Sequence, residues 1–171
     1  ASKGIELLDG EEYHDHSHGE YDAHVWTDPM NAKIEMENIK NALIEMDPDH
    51  RGYYEENYEK YSLELDKLND EFRTTISNLS NKDIVVSHNA FSYMAHAYGL
   101  NQMAILDLTP DSEPNPGKMA EIIDFVNDNN VTVIFFEELA SSKIADTIAN
   151  ETSAVVDVLN PLEGLSDEEL E

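Results

Sequence analysis

The chain predicts an α/β fold: a lobe of βα units built on a parallel sheet, preceded by one long helix. Three observations predict it. From Asp83 onward, short apolar runs alternate with amphipathic stretches of about ten residues, the pattern of strands joined by crossover helices. From about Pro48 to Leu79, apolar residues recur every three or four positions, with Gly52 the one internal breaker. Before that, Asp28-Pro29 joins a capping residue to a proline suited to a helix's first position.

The elements follow in order. Residues 1–23 are polar, with a short strand candidate at Ile5-Glu6-Leu7-Leu8. The helix opened by Asp28-Pro29 has an apolar face of Ile34, Ile39, Leu43, Ile44 and Met46. Asp47-Pro48-Asp49 ends it and caps the next. That next helix carries Tyr54, Tyr58, Tyr61, Leu65, Leu68, Phe72, Ile76 and Leu79 on one stripe. At 1.5 Å per residue its roughly 30 residues span about 45 Å. An aromatic-rich stripe over so short a stretch fits a coiled coil poorly. Asp83–Val86 reads as a buried strand, Phe91–Tyr98 as a helix ended by Gly99, and Met103–Leu108 as a strand. Pro110, Pro114, Pro116 and Gly117 read as a loop, Lys118–Asn129 as a helix, and Val131–Phe136 as a strand. Ser142–Asn150 reads as a helix and Ala154–Leu159 as a last strand. Ser166 and the acids after it look like the first turn of one more helix.

Composition narrows function. Of 171 residues, 40 % are apolar and 27 % charged, enough for a packed core. Asp and Glu number 37 against 10 Lys and Arg, a net charge of -27. Such a field repels nucleic acid and attracts cations, although solubility alone also accounts for it. There is no cysteine, which removes disulfides, iron–sulfur clusters and thiolate zinc sites together. No apolar run approaches the roughly 20 residues of a membrane-spanning helix. The opening Ala1-Ser2-Lys3-Gly4 carries no signal peptide and reads as a processed or cut start.

In parallel sheets ligands sit beyond the carboxyl ends of strands, so residues there are weighed first. His88 follows the strand ending at Val86, between the capping residues Ser87 and Asn89; alone, such a histidine is as readily structural. Glu163 follows the last strand in Asn160-Pro161-Leu162-Glu163-Gly164, where a loop acid is otherwise common. His24 lies just before the Asp28-capped helix, with the single tryptophan, Trp26, able to wall off a site. His14-Asp15-His16-Ser17-His18, amid Glu11, Glu12 and Glu20, suits a metal-collecting loop more than an affinity tag. His50 and His96 look incidental. Glu137-Glu138 could imitate a catalytic carboxylate pair, but neighbours at a strand end point opposite ways. One of the two is therefore expected to turn inward as a hydrogen-bond acceptor and the other to turn away. Motifs of zinc proteases, serine hydrolases and phosphate-binding loops are missing.

Taken together, Asp22-Ala23-His24-Val25-Trp26-Thr27-Asp28-Pro29, Ser87-His88-Asn89-Ala90-Phe91-Ser92-Tyr93, Tyr98-Gly99-Leu100, Ser112-Glu113-Pro114 with Pro116, Ile134-Phe135-Phe136-Glu137 and Leu159-Asn160-Pro161-Leu162-Glu163-Gly164 form an ordered set. The set resembles the zinc- and manganese-specific substrate-binding lipoproteins of bacterial ABC importers, above all the zinc branch of Gram-positive bacteria. The resemblance covers essentially the whole chain. It implies a two-lobed metal-binding fold with a rigid connector helix and the metal in the cleft. Residues 1–47 would end the N-terminal lobe and hold the His-rich loop, 48–80 would be the connector, and 81–171 the C-terminal βα lobe. It further implies His24, His88 and Glu163 as metal ligands, with His14, His16 and His18 as an auxiliary collecting loop. Trp26, Asn89 and Glu137 become candidates for the shell behind the ligands. The family has another histidine ligand early in its first lobe and a final helix, which makes this chain look like a fragment or one piece of a two-chain structure.

The implied function is extracytoplasmic capture of Zn2+ and its delivery to an ABC permease for zinc uptake, by a non-enzyme whose lipid anchor lies outside this chain. No nucleic acid would be involved. Imidazoles with one carboxylate suit zinc, whereas manganese prefers more oxygen. A manganese-binding transport protein is the rival within the class, and a zinc-dependent hydrolase the rival outside it. Relatives also carry adhesion labels, but an acidic adhesion module explains none of the residues singled out.

Overall fold

In the computed structural model, residues 1–9, 21–106, 115–137 and 143–164 are described. A 3-10 turn, Val25–Thr27, leads into helix α1, Pro29–Met46. Asp28 caps that helix as expected, its carboxylate accepting from the Met30 N–H at 2.9 Å, with Pro29 at the first position. A 3-10 turn at Pro48–His50 then leads into α2, Arg51–Ser77, which is 27 residues and about 40 Å long. The long helix thus starts three residues later than its sequence pattern, because Pro48 and Asp49 tighten the entry into a 3-10 turn. Lys33 and Asp66 bridge α1 to α2 at 2.6 Å. The stripe on α2 is only partly covered: Ile76 is buried, Tyr54, Tyr58, Leu65 and Phe72 are half-buried, and Tyr61, Leu68 and Leu79 are exposed. On α1, Ile39, Leu43 and Met46 are exposed too. None of the described helices is long and apolar enough to cross a membrane.

The remaining elements are β1 (Asp83–His88), α3 (Ser92–Tyr98), β2 (Asn101–Leu106), α4 (Pro116–Asp128), β3 (Val133–Phe136), α5 (Lys143–Glu151) and β4 (Val155–Val158). The four strands form one parallel sheet in the order β2-β1-β3-β4. Alternation of side chains divides its two faces. Val85 and Ile134, paired in register, face a core completed by Ile105, Ile122, Val126, Ala145 and Ile148 from β2, α4 and α5. Their neighbours Val86 and Phe135 face the other way, onto Ala90, Phe91 and Met94. Gly99 ends α3 in the left-handed region at φ 70°, which a side chain would resist.

Several sequence expectations shift. His88 is the last residue of β1, paired with Leu106, not the residue after a shorter strand. Pro116 and Gly117 belong to α4, not a loop: Asn115 accepts from the Lys118 N–H at 3.0 Å, so Asn-Pro is a cap and first position. Ile5–Leu8 is no strand. Its chain is held by the Leu8 N–H donating to the Tyr93 hydroxyl at 3.0 Å and the Asp22 N–H donating to the Leu8 carbonyl at 3.0 Å. A single antiparallel bridge, Asp9 to Tyr21, follows it. The helix start at Ser166, the loop residues Pro110 and Pro114, and Ser112-Glu113 lie outside the described residues.

Tyr98 ties the sheet lobe to α2. It is buried, its hydroxyl donates to Asn69 Oδ1 at 3.2 Å, and its ring meets Phe72 edge-on at 5.5 Å. Burial, aided by the negative charge of Asp28, pushes its phenol up to about 12. A raised pKa favours the neutral form in the fold, so this stabilisation is whole below the ordinary phenol value of about 10 and is lost as pH rises through about 12. In a spectrophotometric alkaline titration, one of the eight tyrosines titrates at about 12, and Tyr98→Phe removes that component. A Tyr98→Phe protein with an unchanged late component would contradict the assignment.

Candidate metal centre

The strand order reverses between β1 and β3, since the chain leaves β1 for β2 on one side and returns to β3 on the other. A crevice opens beyond the strands' carboxyl ends at such a point. His88, at the end of β1, and Glu137, just after β3, flank it. The His88 side chain is fully buried at 0 % exposure. Its Nδ1 donates to Glu137 Oε1, which also accepts from the Ser87 hydroxyl at 2.6 Å. With its proton on Nδ1, His88 turns the lone pair of Nε2 into the crevice, where that atom is buried and has no hydrogen-bond partner among the described residues.

His24 arrives from the opposite side, on the segment entering the 3-10 turn before α1. Asp22 builds this segment. Its Oδ1 accepts from the His24 backbone N–H at 2.9 Å, an Asx turn, and from His24 Nδ1 at 2.6 Å. The Tyr93 hydroxyl donates to the Asp22 carbonyl at 2.9 Å, fastening the segment to α3. Nε2 of His24 is thereby aimed at the crevice, and the two imidazoles meet edge-on with centroids 5.4 Å apart.

Glu163 closes the group from the loop after β4. Its Oε1 lies 2.6 Å from His24 Nε2 and 3.5 Å from His88 Nε2. One ligand-type atom from each of His24, His88 and Glu163 lies within 4.8 Å of the others. The three residues singled out in the sequence are therefore brought together. Glu163 is the exposed member, at 39 % for its side chain.

The other candidates divide. Glu137 faces inward and Trp26 flanks His24 with ring centroids 5.5 Å apart. Asn89 is buried but turned elsewhere: its Oδ1 accepts from Ser92 Oγ and from Gln102 Nε2. His50 is exposed and pairs with Asp47, and His96 is exposed. His14, His16, His18 and Glu138 lie outside the described residues. Asp22 was missed, although an acid two residues before a histidine is the signature of the turn that it makes.

Charge sets the protonation of the group. Burial alone would raise the Asp22 carboxyl, but hydrogen bonds from the His24 ring and backbone outweigh it and hold Asp22 below its ordinary 3.8. Burial alone would lower His24, but Asp22 and then Glu163 outweigh it and lift the imidazole above 6.5. Burial likewise works to raise Glu137, and hydrogen bonds from His88 and Ser87 bring it below 4.5. Both His24 nitrogens face carboxylates, the pattern of an imidazolium. Two imidazoles whose Nε2 atoms face one gap, with an exposed carboxylate beside them, form a nitrogen-rich donor set of the kind that suits zinc. Asp22 and Glu137 behind them are oxygen acceptors placed as those behind metal-binding histidines generally are.

The model of the family described as zinc-uptake complex component A, periplasmic, matches residues 1–171. The high-affinity zinc uptake system protein ZnuA of Bacillus subtilis (strain 168) is 45 % identical over 99 % of this chain and 56 % of its own length. The zinc-binding lipoprotein AdcA of Streptococcus pneumoniae (strain ATCC BAA-255 / R6) is 39 % identical over 95 % of this chain and 34 % of its own. The chain thus spans about half the length of such curated relatives, or less. Among solved structures, a mutant of the laminin-binding adhesin Lmb of Streptococcus agalactiae superposes with a TM-score of 0.88 at 36 % identity, covering 97 % of this chain and 61 % of that one. A Zn(II)-bound variant of AdcAII of Streptococcus pneumoniae gives 0.84 at 33 % identity, with the same coverage of 97 % and 61 %.

The ion pairs define a pH window for the metal-free protein. His24, raised, contributes stability that is whole below 6.5 and is lost as pH rises through its folded pKa. Asp22 and Glu137, lowered, contribute stability that is present above their ordinary values of 3.8 and 4.5 and is lost as pH falls through their folded ones. The His24 ring, followed by NMR without metal, therefore titrates above 6.5, and Asp22→Asn moves its midpoint down. A midpoint at or below 6.5 in the unaltered protein would contradict this geometry.

Proposed function

The chain belongs to the family of periplasmic zinc-uptake components, and on that premise we propose that it captures Zn2+ outside the cytoplasm through His24, His88 and Glu163 for delivery to an ABC permease. The observation that carries the proposal is the convergence of these three side chains to within 4.8 Å, with one partnerless, buried imidazole nitrogen facing the gap. A dication placed there meets two neutral nitrogens and one carboxylate, leaving a tetrahedral position for a further ligand. Residues 1–47 then act as the end of one lobe, 48–80 as the connector and 81–171 as the second lobe. The exposed apolar residues Ile39, Leu43 and Met46 on α1 fit an element that packs against more protein. Relatives named lipoproteins support attachment to the outer face of the membrane through a lipid.

Transport suits the site better than hydrolysis. A zinc hydrolase needs a base free to take a proton from metal-bound water. Asp22 and Glu137 are both engaged behind the imidazoles, and Glu163 is itself the third ligand. Zinc is favoured over manganese because both nitrogen donors are imidazoles and the general order of divalent affinities runs the same way. His14, His16 and His18 act as a collecting loop. Its flanking residues Asp9 and Tyr21 are bridged, and Tyr21 leads directly to Asp22 and His24.

Competition against a chromogenic chelator tests the reading. The protein takes up one zinc ion and prefers it widely to manganese. His88→Glu narrows that preference more than Glu163→Gln does, because it exchanges nitrogen for oxygen, whereas Glu163→Gln weakens both metals by removing charge. A manganese preference, or a preference untouched by His88→Glu, overturns the zinc assignment. Asp22→Ala weakens zinc by about 10- to 100-fold, the usual cost of losing the partner behind a ligand. Removing residues 11–20 slows capture at scarce zinc and leaves tight binding intact; loss of stoichiometric binding would make the loop a primary ligand donor.

A further inference from the structure

We infer that Trp26 is a positioning residue for Glu163: its indole N–H straps the Glu163 loop to the His24 segment and so governs how long the metal is held. The inference rests on the metal-site reading proposed above. Two hydrogen bonds join the His24 segment to the loop after β4. One runs from His24 Nε2 to Glu163 Oε1 at 2.6 Å, and the other from Trp26 Nε1 to the Pro161 carbonyl at 2.7 Å. Only the second is compatible with a bound ion. When His24 Nε2 takes a metal it has no proton left to give Glu163, and the first bond is lost. The indole bond involves no ligand atom and survives loading. It is thus the hydrogen bond between these two segments, among the described residues, that persists in both states.

The loop needs such a strap. Pro161 is buried, but Leu162, Glu163 and Gly164 are exposed. Leu162 sits at φ 61°, a left-handed conformation that its Cβ disfavours. This turn aims Glu163 back at the imidazoles. An Asx turn, with the Leu162 N–H donating to Asn160 Oδ1 at 2.9 Å, shapes the loop from within. The Trp26 bond to Pro161, immediately before the turn, anchors it from without. His24 has the buried Asp22 behind it, and His88 the half-buried Glu137. Glu163 is the exposed ligand on an irregular segment, so the strap takes the place of that backing.

Trp26→Phe keeps a ring against His24 and removes the donor. Stopped-flow transfer of Zn2+ to a chromogenic chelator reads the effect. We expect release to quicken about five- to tenfold, the equivalent of one hydrogen bond, with the association rate and the metal-free thermal midpoint little changed. The double variant Trp26→Phe/Glu163→Gln releases no faster than Glu163→Gln alone, because the strap acts through Glu163. A purely structural role would lower the midpoint and add to Glu163→Gln. Amide hydrogen exchange of residues 159–164 in the metal-free protein gives a second readout, faster in Trp26→Phe. Unchanged exchange, unchanged release, or additive release rates overturn the strap. Failure of the unaltered protein to take up zinc overturns the metal site instead, and the exchange measurement still decides the strap.

Discussion

Each imidazole at the crevice is held by a carboxylate at its Nδ1, and the arrangement of the site depends on that constraint. A histidine ring has two similar nitrogens, and an unrestrained one presents either. Glu137 on His88 and Asp22 on His24 remove the choice, so both Nε2 atoms face the same gap. Neither carboxylate is placed by chance. Glu137 sits one residue beyond β3, next to the strand that ends in His88. Asp22 is fixed by its own Asx turn and by Tyr93 from α3. The sheet order, the turn before α1 and one tyrosine of α3 thus converge on the orientation of two rings.

The same constraint places basic rings between the acids of the cluster. Asp22, Glu137 and Glu163 stand around two imidazoles within a chain of net charge -27. Like charges at such distances repel strongly in a partly buried crevice. A proton shared in the middle relieves this. His24, whose imidazole is lifted above 6.5 by Asp22 and Glu163 against the effect of burial, stands between these two carboxylates at 2.6 Å from each. Glu163 Oε1 lies nearer His24 Nε2, at 2.6 Å, than His88 Nε2, at 3.5 Å.

Local chemistry made much of this legible in the sequence. Asp28-Pro29 and Gly99 are backbone signals, and the structure places a cap, a first position and a left-handed helix end where they stand. Strand-to-helix alternation gave the parallel sheet, and its carboxyl-end rule pointed to His88 and Glu163 before any geometry was known. Period-two logic at a strand end required one of Glu137 and Glu138 to face inward, and the structure shows Glu137 at His88. What escaped was tertiary. Ile5–Leu8 has a strand's composition, but its polar groups are taken by Tyr93 and Asp22, from other elements. His88 belongs to β1 because β2 extends far enough to pair with it through Leu106, which no pattern within β1 reveals. Asn89, beside His88, was expected to serve the site and instead serves Ser92 and Gln102. Asp22 carried a readable signal in its spacing to His24, the two-residue offset of an Asx turn.

The three side chains at the gap differ in how freely they can move, and that difference gives the site a direction. His88 is enclosed in the sheet, and His24 is buried, held at its ring and backbone by Asp22, which Tyr93 in turn fastens to α3, and at its carbonyl by Thr27. Moving either imidazole means breaking packed structure. Glu163 stands at the rim on a turn of its own, exposed, with its backbone bent through an unfavourable residue. In the proposed reading, an arriving dication replaces the His24 proton and draws Glu163 in, because the charge that held the carboxylate now sits between all three groups. A departing one leaves through the same side, since that is where the structure gives way at least cost. On the same reading, the rigid pair would set which metal is recognised, and the carboxylate on its strapped loop how long it stays.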